Sequence, residues 1–363
     1  MNPFNTYFLQ AAIEVIPIRH TWFRDRYFPT DEELDVFGTS HVLADFRELN
    51  QKVAPFVLPR IGAIPATRVG FSVYDLEPMN IAVSLPLTID NLIHRGFGES
   101  IMSRATPADR ARRMIVEDLA EINRMIDRSE EMLAIQTILD NGATMFHRTD
   151  DKDIGQDISV KFYDGVNNPT LYTPANNWAH STKSGETWTK GNWYTDMSAM
   201  VRAARQRGVI ISEFMLSQDV ATWLLDDGWF LAMLDNRRID LGRLAPEVLT
   251  DDVVELGFIS IDGANIRILY HIGIYEDDSG VSHNFLPAGT VIGISPDVGR
   301  GLYGGVTLMD PITKEFYTVT GRRVAEAIVT QRPPARETCV YAKPLFVPRR
   351  KAPWMVAKNV FGA

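Results

Sequence analysis

Cysteine is nearly missing from this chain: Cys339 is the only one in 363 residues. A lone thiol cannot close an internal disulfide, and it removes every metal site built on clustered cysteines. Long apolar runs are missing too, since no stretch approaches the ~18–20 residues that cross a bilayer. Met1-Asn2-Pro3-Phe4 opens without the basic region and apolar stretch of a secretory leader. Positive charge is in deficit: 37 Lys and Arg stand against 46 Asp and Glu, a formal net charge of -9. A surface that grips phosphate everywhere is thereby excluded, and only a local patch is left to face nucleic acid. Gly (25) and Pro (20) stay near background, which excludes a collagen-like or low-complexity chain. These deficits predict a soluble protein of a reducing compartment, with no metal, no cofactor and no membrane partner. A hydrophobic fraction of 45% over this length is ample for a full core and for two to three average domains.

Aromatic residues crowd the start. Phe4, Tyr7, Phe8, Trp22, Phe23, Tyr27 and Phe28 fall within the first thirty residues. Rings at that density must be covered, either by the chain's own core or by a neighbouring chain. Residues 44–104 then read as extended, turn-broken chain. Val53, Pro55, Val57, Pro59, Ile61 and Pro65 lead into the alternating segment Arg68–Tyr74, and a second apolar run spans Ile81 to Leu87. Proline at this density keeps strands away from the middle of a sheet, so a long projecting hairpin is expected.

The clearest element follows. Thr106-Pro107-Ala108-Asp109 carries a hydroxyl cap, proline at the first helical position and an acid three residues after the cap. Apolar residues recur at three- and four-residue steps through Met114, Ile115, Leu119, Ile122, Ile126, Leu133 and Ile135, and Asn141-Gly142 supplies a left-handed stop. The pattern predicts a helix over 107–140, a rod of ~50 Å that lies across a sheet or another element. Residues 143–192 read as short strands and loops. A helix is expected from Tyr194 to Arg207 with its cap near Thr195-Asp196. A buried strand follows at Val209–Leu216, then a short helix capped by Ser217. Hairpin-spaced strands are expected at Phe258–Ile261, Ile266–Tyr270 and Val291–Ile294. The tail, broken by Pro333, Pro334, Pro344 and Pro348, reads as extended chain.

Few motifs suggest chemistry. Gly299-Arg-Gly301-Leu-Tyr-Gly304 has the spacing of a dinucleotide fingerprint, yet strand-like Gly305–Met309 follows where a helix is required. Close approach of two backbones is the better account. Seven histidines lack helical zinc spacing; His271 and His283 span a hairpin as surface or packing residues. Asp150, Asp151, Asp153 and Asp157 lack the glycine and terminal glutamate of a calcium loop. Cys339 has no histidine nearby in sequence to make it a nucleophile. Arg104, Arg110, Arg112 and Arg113 gather where the helix dipole disfavours cations, and Arg349-Arg350-Lys351 form a second cluster. Solvated scatter, acids of an adjacent chain and packaged polyanion are the open explanations.

Thr21–Pro29 in the arm, Val53–Pro59 with Arg68–Phe71, Arg128–Ala134 through Gly142, Phe285–Gly293, Gly299–Gly305, and Pro334–Glu337 followed by Lys343–Phe346 appear in a telling order. In that order the chain resembles the lambda-like major capsid protein E family of tailed phages, which has the HK97-type fold. The resemblance implies an α+β protein: an N-terminal arm (1–43), an extended E-loop hairpin (44–104), and a peripheral P domain (105–205) with the spine helix 107–140. A mixed α/β axial (A) domain (206–320), holding the glycine segment, and a C-terminal return to the P domain (321–363) complete it. It implies a structural, non-enzymatic subunit that forms pentamers and hexamers of itself in an icosahedral shell around double-stranded DNA. Assembly is expected in the host bacterial cytoplasm with a separate scaffolding protein and a portal protein, and with a decoration protein as an optional addition.

Intersubunit contacts are expected from Phe4, Tyr7, Phe8, Trp22, Phe23, Tyr27 and Phe28 in the arm, from Phe56, Arg60, Arg68 and Phe71 in the loop, and from Arg110 and Arg113 on the helix. On that view, deleting residues 2–28 leaves a foldable core that assembles poorly. A Lys52–Asn359 cross-link is disfavoured because such a bond needs a positioned acid in a dry pocket. Two rivals remain: an encapsulin-like nanocompartment shell, and a nucleotide-binding enzyme using 299–304.

Overall fold

A computed structural model describes residues 9, 12–13, 16, 20–39, 41–47, 71–88, 106–148, 154–162, 170–185, 187–234, 242–250, 252–277, 280–310, 314–331 and 334–362. Helix α1 covers Trp22–Tyr27. Helix α2 runs from Pro107 to Asp140, 34 residues, as the sequence pattern predicts. The Thr106 hydroxyl accepts from the Asp109 amide, and the Asp109 carboxylate accepts from the Thr106 amide. This reciprocal pair fixes the first turn. Asn141 ends the helix in the left-handed conformation at φ 58°.

The first half of α2 lies on a three-stranded sheet of β19 (Val324–Gln331), β20 (Pro334–Ala342) and β3 (Ile81–Thr88). Ile115, Leu119, Ile122 and Ile126 pack there against Ala325, Val340 and Ala342. Strand β3 contains Pro86 and is one of the two edge strands, the position in which a sheet tolerates proline. Strands β1 (Val42–Arg47) and β2 (Phe71–Leu76) form an antiparallel pair leading into β3. Most of the expected projecting hairpin, 48–70 and 89–105, lies outside the described residues. Beyond α2, β4 (Gly142–Arg148) pairs with β5 (Ile154–Lys161).

A seven-stranded mixed sheet forms the other half of the molecule. Its order is β10 (Gly242–Thr250), β11 (Val253–Ile261), β12 (Ala264–His271), β9 (Glu213–Ser217), β15 (Val291–Ile294), β22 (Met355–Ala357) and β6 (Leu171–Tyr172). Successive side chains face opposite ways, so Phe214, Leu216 and Val291 share one face while Met215, Ile292 and Ile294 share the other. Helices α3 (Asn192–Gln206), α4 (Gln218–Leu225) and α5 (Gly228–Leu234) cover the first face through Met197, Met200, Val201, Val220 and Leu224. The second face receives the end of α2, the α1 rings and Trp354 of the tail. Both faces are covered, which is why all five residues of β9 are buried. Small hairpins β7 (Lys183–Ser184)/β8 (Thr187–Trp188) and β13 (Ile274–Glu276)/β14 (Ser282–Asn284) lie at the margins. The remaining pairs are β16 (Gly299–Tyr303)/β21 (Pro344–Pro348) and β17 (Val306–Met309)/β18 (Phe316–Val319).

One expected cap is corrected, and a second holds its N-cap position without the side-chain bond. Helix α3 starts at Asn192 after Gly191, and Asp196 lies inside it. Its carboxylate accepts from Tyr172 Oη and Trp178 Nε1, both at 2.8 Å, so a tertiary partner takes the group that looked like a cap. Ser217 precedes α4 without a side-chain cap bond. Its Oγ accepts instead from the Thr290 amide at 3.1 Å, joining β9 to the loop before β15. The expected strand at Val209–Leu216 begins later, at Glu213.

Candidate functional site: the anchored arm and the exposed tips

Along α2 the apolar stripe steps from Ile122 to Ile126, and the next step lands on Glu130. Asp127 and Glu131 flank it on the same buried face. Three buried acids in a helix stripe need cations, and two distant segments bring them. Arg24 of α1, 1% exposed, donates from Nη1 to Asp127 at 2.7 Å and to Glu130 at 2.9 Å. Its Nε and Nη2 hold Asp25 at 2.8 and 3.1 Å. Arg323, at the start of β19, donates Nη2 to Asp127 at 2.9 Å and to Glu130 at 2.8 Å, and Nη1 also binds Glu130. Glu131 accepts the Phe23 and Arg24 amides at 2.8 and 2.9 Å, satisfying the start of α1. The adjacent Arg24 and Arg323 guanidiniums hold the Glu130 carboxyl below its usual range against the opposing effect of burial. Burial instead pushes Glu131 up, to about 7.

The other side of α1 grips the large sheet. Arg26 binds Glu213 of β9 through Nε at 3.0 Å and through Nη2, and Tyr27 Oη donates to Glu213 at 3.1 Å. Arg26 also lies over the Trp22 ring, 4.8 Å from its centroid. Phe23 meets Tyr27 and His271 edge-on at 5.4 and 5.6 Å. Phe28 meets Phe346 and Trp354 at 5.6 and 6.1 Å. His271 is buried; its Nδ1 accepts from the Gly273 amide at 3.1 Å, and burial lowers its pKa to about 4.

The glycine segment serves this packing. Gly299–Tyr303 is strand β16, paired antiparallel with β21, and a second short strand follows rather than a helix. A Cβ at Gly299 would stand 2.1 Å from the Phe28 ring, and one at Gly301 would stand 2.5 Å from the Thr30 hydroxyl. The glycines open a seat for the arm, and no helix N-terminus is present there to bind a pyrophosphate. The segment pairs with the C-terminal strand and stands outside the seven-stranded sheet.

The predicted contact residues divide. Trp22, Phe23, Tyr27 and Phe28 are buried within their own subunit, so these rings are corrected from intersubunit contacts to core residues: α2 and the large sheet cover them. Arg110 is half-buried and Arg113 exposed on the first turns of α2. Phe4, Tyr7, Phe8, Phe56, Arg60 and Arg68 lie outside the described residues, and Phe71 begins β2. Lys52 and the acids Asp150, Asp151 and Asp153 also lie outside them, while Asn359 takes a turn at φ 53°. Arg349 pairs with Asp297 at 2.7 Å. Among the described residues, no three His, Cys, Asp or Glu side chains gather as a metal would require, and no helix is long and apolar enough to cross a membrane.

The buried anchor was not among the sequence candidates. Its signal was the break in the α2 stripe between Ile126 and Leu133, where acids occupy core positions. Exposed apolar groups form a second feature. Met309 and Phe316 are directly paired across β17 and β18, 49% and 77% exposed, at the tip of a hairpin.

A long capped helix laid over a sheet, a mixed α/β unit beyond it, and an arm tied to both make an α+β fold of the HK97 capsid type. The family model for Phage major capsid protein E matches residues 5–359, and the chain belongs to that family. It is a structural capsid shell protein. No curated protein matches the sequence. Among solved structures, one described as the capsid protein of a prophage from E. coli CFT073 is 14% identical and has a TM-score of 0.64, with 98% of each chain covered. That likeness shows the fold. The mature capsid of bacteriophage PhiM1 is 11% identical over 94% of this chain and 88% of that chain, at a TM-score of 0.46. An encapsulin complex from Synechococcus elongatus PCC 7942 is 9% identical over 96% and 94%, at 0.44.

Proposed function

We propose that copies of this chain assemble as pentamers and hexamers into an icosahedral shell that encloses the packaged double-stranded DNA of a tailed phage. The family match over nearly the whole chain carries this proposal. Assembly takes place in the host bacterial cytoplasm on a separate scaffolding protein, with a portal protein at one vertex and room outside for a decoration protein. Residues 1–43 act as arm, 44–104 as E-loop, 105–205 as P domain, 206–320 as axial domain and 321–363 as C-terminal return. Phe4, Tyr7, Phe8, Phe56, Arg60, Arg68, Phe71, Arg110 and Arg113 contribute contacts between subunits. The net charge of -9 supports DNA as cargo, because an acidic wall lets condensed DNA slide rather than stick.

Light scattering and nuclease digestion of particles from infected or induced cells test the proposal. Particles tens of nanometres across that protect double-stranded DNA are the expected result. Particles filled with an enzyme and no DNA would replace the phage-head proposal with a nanocompartment.

A further inference from the structure

We propose that the hairpin tip carrying Met309 and Phe316 is a knob that seats in a cleft on a second copy of this chain. The proposal rests on the shell function and names one of its contacts. The cleft has a volume of about 690 Å³. Ile13, Ile16, Val36 and Val324 give it an apolar floor, and Glu32 and Glu33 give it an acidic side. Water in that space is released when an apolar knob enters.

The knob cannot reach its own cleft. Thr307, Met309, Phe316 and Thr318 face outward on the hairpin, while Val306 and Leu308 are buried and Tyr317 and Val319 lie half-buried against the same cluster. Val319 lines the cleft of its own subunit, and Phe316 stands three residues farther along β18. Three residues of strand span ~10 Å and reverse the side-chain direction. Phe316 therefore points away from the cleft beside it, and only another copy offers one.

Charge agrees with shape. Lys314, exposed next to the knob, would arrive beside Glu32 and Glu33. On the cleft wall, Arg322 donates Nη2 to Tyr303 Oη at 3.3 Å, while its buried Nε has no acceptor among the described residues. A knob and a cleft on different parts of one chain make a head-to-tail contact, the kind that closes into rings when the rotation allows.

The test compares assembly of the full chain with that of four variants. Phe316→Asp and Lys314→Glu should each raise the protein concentration needed for assembly by about tenfold or more. Both positions are exposed, so the subunits should keep the unsubstituted melting temperature. Lys314→Glu combined with Glu33→Lys should return assembly to near the original threshold. Glu33→Cys with Phe316→Cys in one chain should give a ladder of oxidised oligomers. The native Cys339 is buried with its thiol pushed up to about 11, so it will not join them. If the unsubstituted chain assembles and these variants assemble equally well without a ladder, the contact is overturned and the shell function stands. If the unsubstituted chain never assembles even with its scaffolding protein present, the shell function falls and the contact falls with it.

Discussion

Arg24 of the arm and Glu130 of the spine helix meet at 2.9 Å, with side chains 1% and 0% exposed. They are 106 residues apart in the chain, and Arg323 reaches the same carboxylate from a third segment. A buried pair adds little over well-packed apolar groups, but removing one partner strands the other charge. Arg24→Met should therefore destabilise the subunit by ~3–5 kcal/mol. Arg24→Met with Glu130→Leu should be less destabilised than the sum of the two single changes. Urea denaturation of unassembled subunits reads both numbers, and strict additivity would show that the two residues do not share a network.

The seat at Gly299 makes a second prediction. Gly299→Ala places a methyl group against Phe28 and should cost ~1–3 kcal/mol through overpacking. In a Phe28→Ala background the same substitution should cost less but still something, because the ring is gone while the methyl still meets the Val347 carbonyl oxygen at 2.8 Å. An equal cost in both backgrounds would mean that the clash lies with the β21 backbone.

Two buried groups give pH dependences of opposite sign. Glu131 is raised from 4.5 to about 7 by burial. Its contribution to stability is complete below about pH 4.5 and is lost as pH rises through about 7. His271 is lowered from 6.5 to about 4, also by burial. Its contribution is present above about 6.5 and is lost as pH falls through about 4. Glu131→Gln keeps an oxygen for one of the two α1 amides and should flatten the loss on the neutral side. His271→Phe should flatten the loss on the acid side. Thermal melts from pH 4 to 8 separate the two.

Truncation distinguishes the parts of the arm. The sequence alone suggests that removing residues 2–28 leaves a foldable core. The burial of Trp22, Phe23, Tyr27 and Phe28 against α2 and the large sheet corrects this expectation. Deleting 2–28 should leave a partly unfolded, aggregating chain, while deleting 2–8 should preserve the fold and impair assembly. Circular dichroism and light scattering on both truncated chains check the pair of outcomes.

The spine helix was legible because its cap, stripe and stop are local: Thr106, the Ile115–Ile126 steps and Asn141 need no distant partner. The E-family resemblance was legible for a related reason, since it rests on short patches in a fixed order. Asp196 sits inside α3 and Ser217, at the N-cap position of α4, makes no cap bond, because their hydrogen bonds go to Trp178 and Thr290, which local rules cannot foresee. The arm anchor escaped because the cations that answer the acids in the stripe, Arg24 and Arg323, lie 106 and 193 residues from Glu130 along the chain. The Phe316 knob was equally hidden, since its exposure depends on which side of a short hairpin faces the core.

Cryo-electron microscopy of particles made by this chain with its scaffold is the decisive measurement. A closed icosahedral shell is expected in which this chain builds every hexamer and pentamer, with Arg24 and Arg323 clamped on the spine helix of the same subunit. A monodisperse monomer or small soluble oligomer that never closes, with scaffold present, would contradict it.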